Sequence, residues 1–234
     1  MSAKEDSKMK RQTGEVLSER AKKVMEWFGI KGKGGKVGVA QAEVETPELA
    51  LAPGTITAIT GASGSGKSSL LRRMQRKQKN RTWIHVDRIR LPDVMTVDCF
   101  EEEELEEVLA MLGRLGLGEV WTYLRRPTEL SEGQRWRLRW AMALWQAQHH
   151  KNAVIVSDEF CSVLDLLTAR VVCRCLRRSV DQLKKASVVV ATARNDLEPA
   201  LGADVKVRCD FGVVEVGSGD RATRSVAADG RGGW

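Results

Sequence analysis

Runs of apolar residues divide the chain into alternating strands and helices. β-branched runs bounded by turn residues predict strands over 55–60, 82–86, 153–157, 187–191, 205–209 and 212–216. Two earlier runs, 37–43 and 48–51, predict an antiparallel pair. Apolar residues at helical spacing predict helices over 14–28, from 69 onward, and over 105–112, 132–148 and 166–183. This alternation favours an α/β fold with a mostly parallel sheet covered on both faces.

Composition refines this organisation. The chain has 234 residues, 42% of them hydrophobic, which favours one main domain with an appendage. We expect a basic N-terminal extension with an amphipathic helix over 1–35, the main domain over 36–216, and a disordered glycine- and arginine-rich tail over 217–234. No apolar run approaches the roughly 20 residues of a membrane span, and no apolar leader is seen, so we expect a cytoplasmic protein.

The net charge of +7 is concentrated before the main domain, where residues 1–36 hold ten Lys or Arg against five Asp or Glu. Such a segment suits contact with nucleic acid or an anionic surface, although basic extensions are often only solvated. The five cysteines contain no Cys-x-x-Cys pair, and the three histidines do not complete a zinc motif. We therefore expect reduced thiols and no zinc site.

A glycine-rich loop between a predicted strand and a predicted helix is the strongest chemical signal. Its residues are Gly61, Ala62, Ser63, Gly64, Ser65, Gly66, Lys67, Ser68 and Ser69. The strand, loop and helix order with this spacing is that of a phosphate-binding loop, whose backbone N–H groups surround phosphate oxygens. Lys67 is expected to reach the β- and γ-phosphates of a nucleotide, and the Ser68 hydroxyl to bind Mg²⁺.

Two acidic residues follow the predicted strand 153–157. Asp158 and Glu159 should lie at the carboxyl edge of the sheet, where the phosphate loop also opens. Asp158 is suited to hold Mg²⁺, and Glu159 to orient or deprotonate the attacking water. The competing interpretation is an Asp-Glu pair at the start of a helix.

A third motif resembles the ATP-binding-cassette (ABC) ATPase superfamily. Leu130-Ser131-Glu132-Gly133-Gln134 is similar to the Leu-Ser-Gly-Gly-Gln signature of that family, with Glu132 at the first glycine. The resemblance covers roughly residues 36–216 and implies a P-loop ATPase that binds ATP and Mg²⁺. It also implies a head-to-tail dimer of like or unlike cassettes, in which Ser131, Gly133 and Gln134 complete the partner's nucleotide site. Asp165 would then lie at the dimer seam.

Departures from the family pattern shape the functional expectation. Ala193 stands where the family has a histidine that contacts the γ-phosphate, with Arg194 beside it as a candidate cationic contact. Asp87 is the nearest match to the glutamine that touches Mg²⁺ and couples to membrane domains. Only 64 positions separate Lys67 from Ser131, which implies a shortened helical subdomain.

These departures favour a soluble ABC-type ATPase with a non-transport output, nucleic acid being the first partner to test. The catalytic residues are expected to be Glu159, Lys67 and Ser131. One alternative is the ATP-binding subunit of a membrane transporter, with its permease on another chain. A second is an ATP-gated binding module that hydrolyses slowly because Ala193 lacks the histidine contact.

Overall fold

The computed structural model describes residues 18–27, 47, 49–183, 186–211 and 213–219. The chain divides into two units, residues 1–43 and 44–234, which are described separately. In the first unit the described residues form helix α1 (Glu19–Trp27), which has no buried side chain and lies within the predicted helix 14–28. Across the described ranges, no helix is both long and apolar enough to cross a bilayer.

The second unit is built on a six-stranded sheet with the order β2-β3-β4-β1-β5-β6. Its strands are β1 (Ile56–Thr60), β2 (Thr82–His85), β3 (Ala153–Ser157), β4 (Ala186–Thr192), β5 (Val205–Asp210) and β6 (Val213–Ser218). All neighbours are parallel except β5 and β6, which form an antiparallel hairpin. The predicted α/β class with a mostly parallel sheet is therefore confirmed.

The helices of the second unit are α2 (Lys67–Lys77), α3 (Leu105–Arg114), α4 (Val120–Tyr123), α5 (Glu132–His149), α6 (Leu166–Gln182) and α7 (Glu198–Leu201). Single 3₁₀ turns lie at Val86–Arg88, Thr96–Cys99, Pro127–Glu129 and Asn195–Leu197. The sequence pattern did not predict α4 and α7, because a helix of four residues is too short to show a period of 3.6.

Two predictions fall at the limits of the described residues. The predicted antiparallel pair at 37–43 and 48–51 lies largely outside them, and residues 49–51 are not in a strand. Strand β6 continues through Ser218, so the start of the predicted tail, 217–234, is structured. The remainder of that tail, from 220, lies outside the described residues.

The sheet has a hydrophobic core on each face. Along β3, Ala153 and Ile155 belong to the core that includes α5 and α6, whereas Val154 and Val156 belong to the core that includes α2. This alternation follows from the period of two in a strand, and it explains why every residue of β1, β3 and β4 is buried. The sheet is therefore the middle of three layers.

A cluster of aromatic rings joins α5 to the end of β3. Trp136 and Trp140, on the predicted helix 132–148, are buried, and their ring centroids each lie 5.6 Å from that of Phe160. The Trp140 and Phe160 rings pack edge to face, at an interplanar angle of 83°. Such a pair adds about 0.5–1.5 kcal/mol to the stabilisation from burying the rings. Phe160 is thereby anchored directly after Asp158 and Glu159.

Candidate functional site

The loop from Gly61 to Gly66 joins β1 to α2 and has the backbone of a phosphate-binding loop. Gly61, Gly64 and Gly66 have φ angles of 147°, 79° and 102°, in the region that favours glycine. A Cβ atom on Gly61 would overlap the carbonyl oxygen of Cys209, whereas at Gly64 and Gly66 it would meet nothing within 4 Å. The loop therefore packs against β5 at its start and faces open space where the glycines leave room for a ligand.

Lys67 is the first residue of α2, and its side chain folds back over the loop. Its Nζ donates hydrogen bonds to the carbonyl oxygens of Gly61 and Ala62 at 2.8 and 2.7 Å. The ammonium group therefore lies above the amino end of α2, where the helix dipole also favours an anion. Two sources of positive potential converge at this point.

Segments that are distant in sequence meet in one pocket of about 440 Å³, within the usual range for ligand sites. Its lining residues come from the loop, the end of β3 and the end of β4: Ser63, Gly64, Gly66, Lys67, Ser68, Ser69, Asp158, Glu159, Ser162, Thr192, Ala193 and Arg194. Lys67 and Asp158 thus share a pocket, although β4 separates their strands. Gly61, Ala62 and Ser65 belong to the loop but do not line the pocket.

The two acidic residues follow β3 in a strained turn. Glu159 and Cys161 have φ angles of 57° and 59°, which are rare for residues with a side chain. Such conformations cost about 1–3 kcal/mol each, and they persist only where surrounding contacts impose them. The Glu159 carbonyl accepts a hydrogen bond from the Ser162 N–H at 3.0 Å, which closes the turn. Asp158 and Glu159, consecutive at this turn, both line the pocket.

Asp87 lies beside Asp158, because β2 and β3 are adjacent parallel strands. Its Oδ2 accepts a hydrogen bond from the Asp158 N–H at 3.1 Å. Burial raises the pKa of the Asp87 carboxyl, and the nearby Asp158 charge adds to this, while the bond from Asp158 N–H opposes it. Asp87 does not line the pocket. The residue predicted at the family's glutamine position therefore contacts the backbone of the acidic pair.

The signature residues lie on a different surface. Ser131 caps α5: its Oγ accepts from the Gln134 N–H at 3.2 Å, and the Gln134 side chain accepts from the Ser131 N–H at 2.9 Å. A Cβ atom on Gly133 would lie 3.0 Å from a methyl group of Leu164. Ser131, Gly133 and Gln134 do not line the pocket that holds Lys67. Within one chain the structure does not bring the two halves of the predicted site together.

Arg194 binds the turn that follows the acidic pair. Its Nη1 donates to the carbonyl oxygens of Cys161 and Leu164 at 3.3 and 2.8 Å, and its Nη2 contacts Asp196 at 3.2 Å. The bond from Arg194 lowers the pKa of the Asp196 carboxyl. Ala193 and Arg194 both line the pocket.

Sequence reasoning missed Thr192 and Ser162 as parts of the site. Thr192 is buried, and its Oγ1 donates to the Phe160 carbonyl at 3.0 Å while accepting from the Arg194 N–H at 3.1 Å. A threonine that ends a run of valines directly before Ala193 was the available signal. For Ser162, which lines the pocket, no local sequence signal indicated this position.

The donor set suits a magnesium nucleotide. Mg²⁺ prefers oxygen ligands and is usually held by one or two protein groups together with substrate phosphates. The Ser68 hydroxyl and the Asp158 carboxylate line the same pocket as the glycine loop, which presents its backbone to open space. The chemistry of these residues therefore fits Mg²⁺ beside a triphosphate.

Comparisons with known proteins agree with this geometry. A family model described as an AAA domain matches residues 52–201, more than half of the chain. The lipoprotein-releasing system ATP-binding protein LolD of Maricaulis maris is 31% identical over 186 residues, which cover 64% of this chain and 78% of that protein. The phosphonates import ATP-binding protein PhnC of Rhizobium johnstonii is 28% identical over 211 residues, covering 68% of this chain and 72% of that protein.

A solved structure shows the same fold. The dimer of the ATP-binding cassette MJ0796, in a post-hydrolysis state bound to ADP and Pi, superposes with a TM-score of 0.55 at 20% identity. The match covers 73% of this chain and 88% of that one. Because the match to LolD covers 78% of that protein at 31% identity, and because this chain carries the glycine loop, the acidic pair after β3 and the signature residues 130–134, the chain belongs to the ABC ATPase superfamily as a nucleotide-binding domain.

Proposed function

We propose that this chain is the ATP-hydrolysing subunit of a membrane transporter and that it acts as a head-to-tail dimer around Mg²⁺-ATP. The observation that carries the catalytic part is the shared pocket, in which the glycine loop, Lys67, Asp158 and Glu159 meet. Cationic, hydroxyl and carboxylate groups are thereby supplied at one place, as phosphoryl transfer to water requires.

The roles of the residues follow from their positions. The loop N–H groups and Lys67 bind the phosphates, and Ser68 and Asp158 are the groups that would hold Mg²⁺. When bound, the ion neutralises charge on the phosphate oxygens. Glu159 is the candidate general base, because it is an acidic residue that lines the same pocket, on a turn that is hydrogen-bonded to β4.

The dimer is supported by the separation of the signature from this pocket. Ser131 is exposed at the amino end of α5, an 18-residue helix whose dipole favours an anion there. Residues Ser131, Gly133 and Gln134 at the amino end of α5 do not line the nucleotide pocket of their own chain. A second cassette turned head to tail would place its γ-phosphate against Ser131 and Gly133, and each site would then draw on both chains.

Transport across a membrane is the process that we propose ATP hydrolysis to drive, in place of the non-transport process expected from the sequence. The relatives LolD and PhnC are named as ATP-binding proteins of a lipoprotein-releasing system and of phosphonate import. Neither relative's name refers to nucleic acid. Most of the basic segment 1–36 lies outside the described residues. The alternative with a separate permease is therefore the better supported interpretation.

An exposed apolar surface supports a partner beyond the second cassette. We call it the 94–124 patch: Val94, Met95, Val120, Trp121 and Leu124, all exposed. Its two segments are joined where the Thr96 N–H and hydroxyl both donate to the Arg125 carbonyl at 2.8 Å, and where Arg126 pairs with Asp93. Trp121 is 73% exposed, which is unusual for a large ring outside an interface. A helical segment of a membrane permease would cover this patch.

Hydrolysis is tested with Glu159→Gln in the full-length chain. We expect phosphate release to fall to background while ATP binding persists, because the glutamine keeps the shape of the side chain but not its basicity. Glu107→Gln, an exposed change in α3, is the matched control and should hydrolyse at the wild-type rate. Equal and negligible rates in wild type and Glu159→Gln would favour the ATP-gated binding module.

Transport is tested with Trp121→Glu in the 94–124 patch. A permease is expected to copurify with the wild-type chain and to stimulate its ATPase, and both effects should be lost in Trp121→Glu while the basal rate is unchanged. Stimulation of wild type by DNA, weakening steeply with salt, would instead restore the nucleic-acid interpretation.

A further inference from the structure

The turn after Glu159 is held by the end of β4. The Phe160 N–H donates to the Ala191 carbonyl at 2.8 Å, and the Thr192 hydroxyl donates to the Phe160 carbonyl at 3.0 Å. Both bonds are made immediately after Glu159, whose φ of 57° needs external support. The backbone directly after Glu159 is therefore held by residues that lie about 30 positions later in the chain.

Arg194 supplies the third connection to the same turn. Its side chain is 26% exposed, and one guanidinium nitrogen bridges the carbonyl oxygens of Cys161 and Leu164. These carbonyls flank Ser162, which lines the pocket, and precede Asp165, whose carboxylate caps α6 through the Thr168 N–H at 2.9 Å. The other terminal nitrogen, Nη2, donates to the Asp196 carboxylate at 3.2 Å.

We propose that Arg194 is a positioning residue for hydrolysis: it holds the 158–165 turn, and with it the Glu159 carboxylate, in the geometry needed to activate water. This inference rests on the proposed ATPase mechanism. It also assigns a use to the residue next to Ala193. Arg194 acts on the protein backbone of its own chain, whereas a phosphate-binding cation would act directly on the nucleotide.

Arginine suits this task better than lysine. Its planar guanidinium presents several donors in a fixed arrangement, so one side chain can bridge two carbonyls and a carboxylate at once. A lysine ammonium would reach only part of this set. Gly133 packs against Leu164 from the signature side, so the turn is contacted by both the end of β4 and the start of α5.

The two roles predict different kinetics. If Arg194 positions Glu159, its loss should lower kcat and leave ATP binding intact, because misplacement of a catalytic group by about 1 Å costs on the order of 10²-fold in rate. If it contacts phosphate directly, ATP affinity should fall as well.

The kcat is measured for three full-length variants: Arg194→Met, Arg194→Lys and Arg174→Met. The Kd for ATP is measured for the same three substitutions, each combined with Glu159→Gln. We expect Arg194→Met to lower kcat by about 10- to 100-fold with the Kd within about 2-fold of the parent chain, and Arg194→Lys to be intermediate. Arg174 is an exposed arginine of α6, and Arg174→Met should behave as wild type.

Thr192→Val provides a second test that does not involve a cation. Valine has the shape of threonine but cannot donate to the Phe160 carbonyl, so the same loss of kcat with unchanged Kd is expected.

A kcat for Arg194→Met within about 3-fold of wild type, or a parallel loss of ATP affinity, would overturn the proposal. Absence of ATPase activity in the wild-type chain would instead count against the proposed function.

Discussion

Mixing two inactive variants, Lys67→Ala and Ser131→Arg, is expected to restore about one quarter of the wild-type ATPase rate. Lys67 lies in the nucleotide pocket, whereas Ser131 lies outside it at the exposed start of α5. In a head-to-tail dimer each site combines the Lys67 of one chain with the Ser131 of the other. A homodimer of either variant therefore contains two broken sites.

The magnitude follows from pairing statistics. Random exchange of subunits in a 1:1 mixture makes about half of the dimers mixed. Each mixed dimer has one site in which both Lys67 and Ser131 are wild type, and one site in which both are substituted. About one quarter of all sites are therefore intact. Cooperation between the two sites would lower this value. Phosphate release from the two variants, alone and after mixing, is the assay.

Helix fraying must be separated from the effect on the partner. Ser131 also caps α5, and loss of such a cap costs about 1 kcal/mol of stability. Ser131→Asn retains a capping side chain but removes the hydroxyl, so it should unfold like wild type and still lose most activity. If the mixture is no more active than the sum of its components, the sites are not shared between chains.

Two further predictions concern the walls of the site. Gly61→Ala should lower the free energy of unfolding by about 2–4 kcal/mol, because the φ of Gly61 is positive and the new Cβ would overlap the Cys209 carbonyl. The control is Gly113→Ala in α3, where a Cβ meets nothing, and this change should be neutral or stabilising. Denaturant titration measures both effects, and equal losses of stability would refute the prediction. Asp87→Asn should raise the melting temperature relative to wild type, and this difference should grow as pH rises above the pKa of Asp in the unfolded chain. The reason is that the pKa of Asp87 is raised in the folded protein, so the unfolded state ionises first. Wild-type stability is therefore lost as pH rises towards the folded pKa. A pH-independent difference between the two chains would contradict the sign of that shift.

Most elements of the fold could be predicted because their signals are local. The continuous β-branched runs of β3 and β4, and the apolar spacing of α5 and α6, reflect periods of 2 and 3.6 residues that the sequence displays directly. The glycine loop was predictable for the same reason, since backbone freedom at Gly64 and Gly66 depends on those residues themselves. The short helices α4 and α7 were missed because one turn contains no period.

The site was predictable in its residues but only partly in its contacts. Motif spacing led to Lys67, Ser68, Asp158 and Glu159, and the sheet brings them to one pocket. Their catalytic roles remain predictions. The participation of Thr192 could not be found in this way, because its hydroxyl acts on a carbonyl 32 residues away in sequence.

By itself, the sequence determined which segments become the long strands and helices, which glycines of the 61–66 loop can adopt left-handed angles, and which polar groups end up at strand ends. Only the tertiary structure decided that β4 lies between β1 and β3, that Asp87 contacts Asp158 across 71 positions, and that Arg194 binds the turn carrying Glu159. The physical reason is the range of the interactions. Periodicity and backbone preference depend on near neighbours, whereas hydrogen bonds between distant segments exist only after packing has brought those segments together.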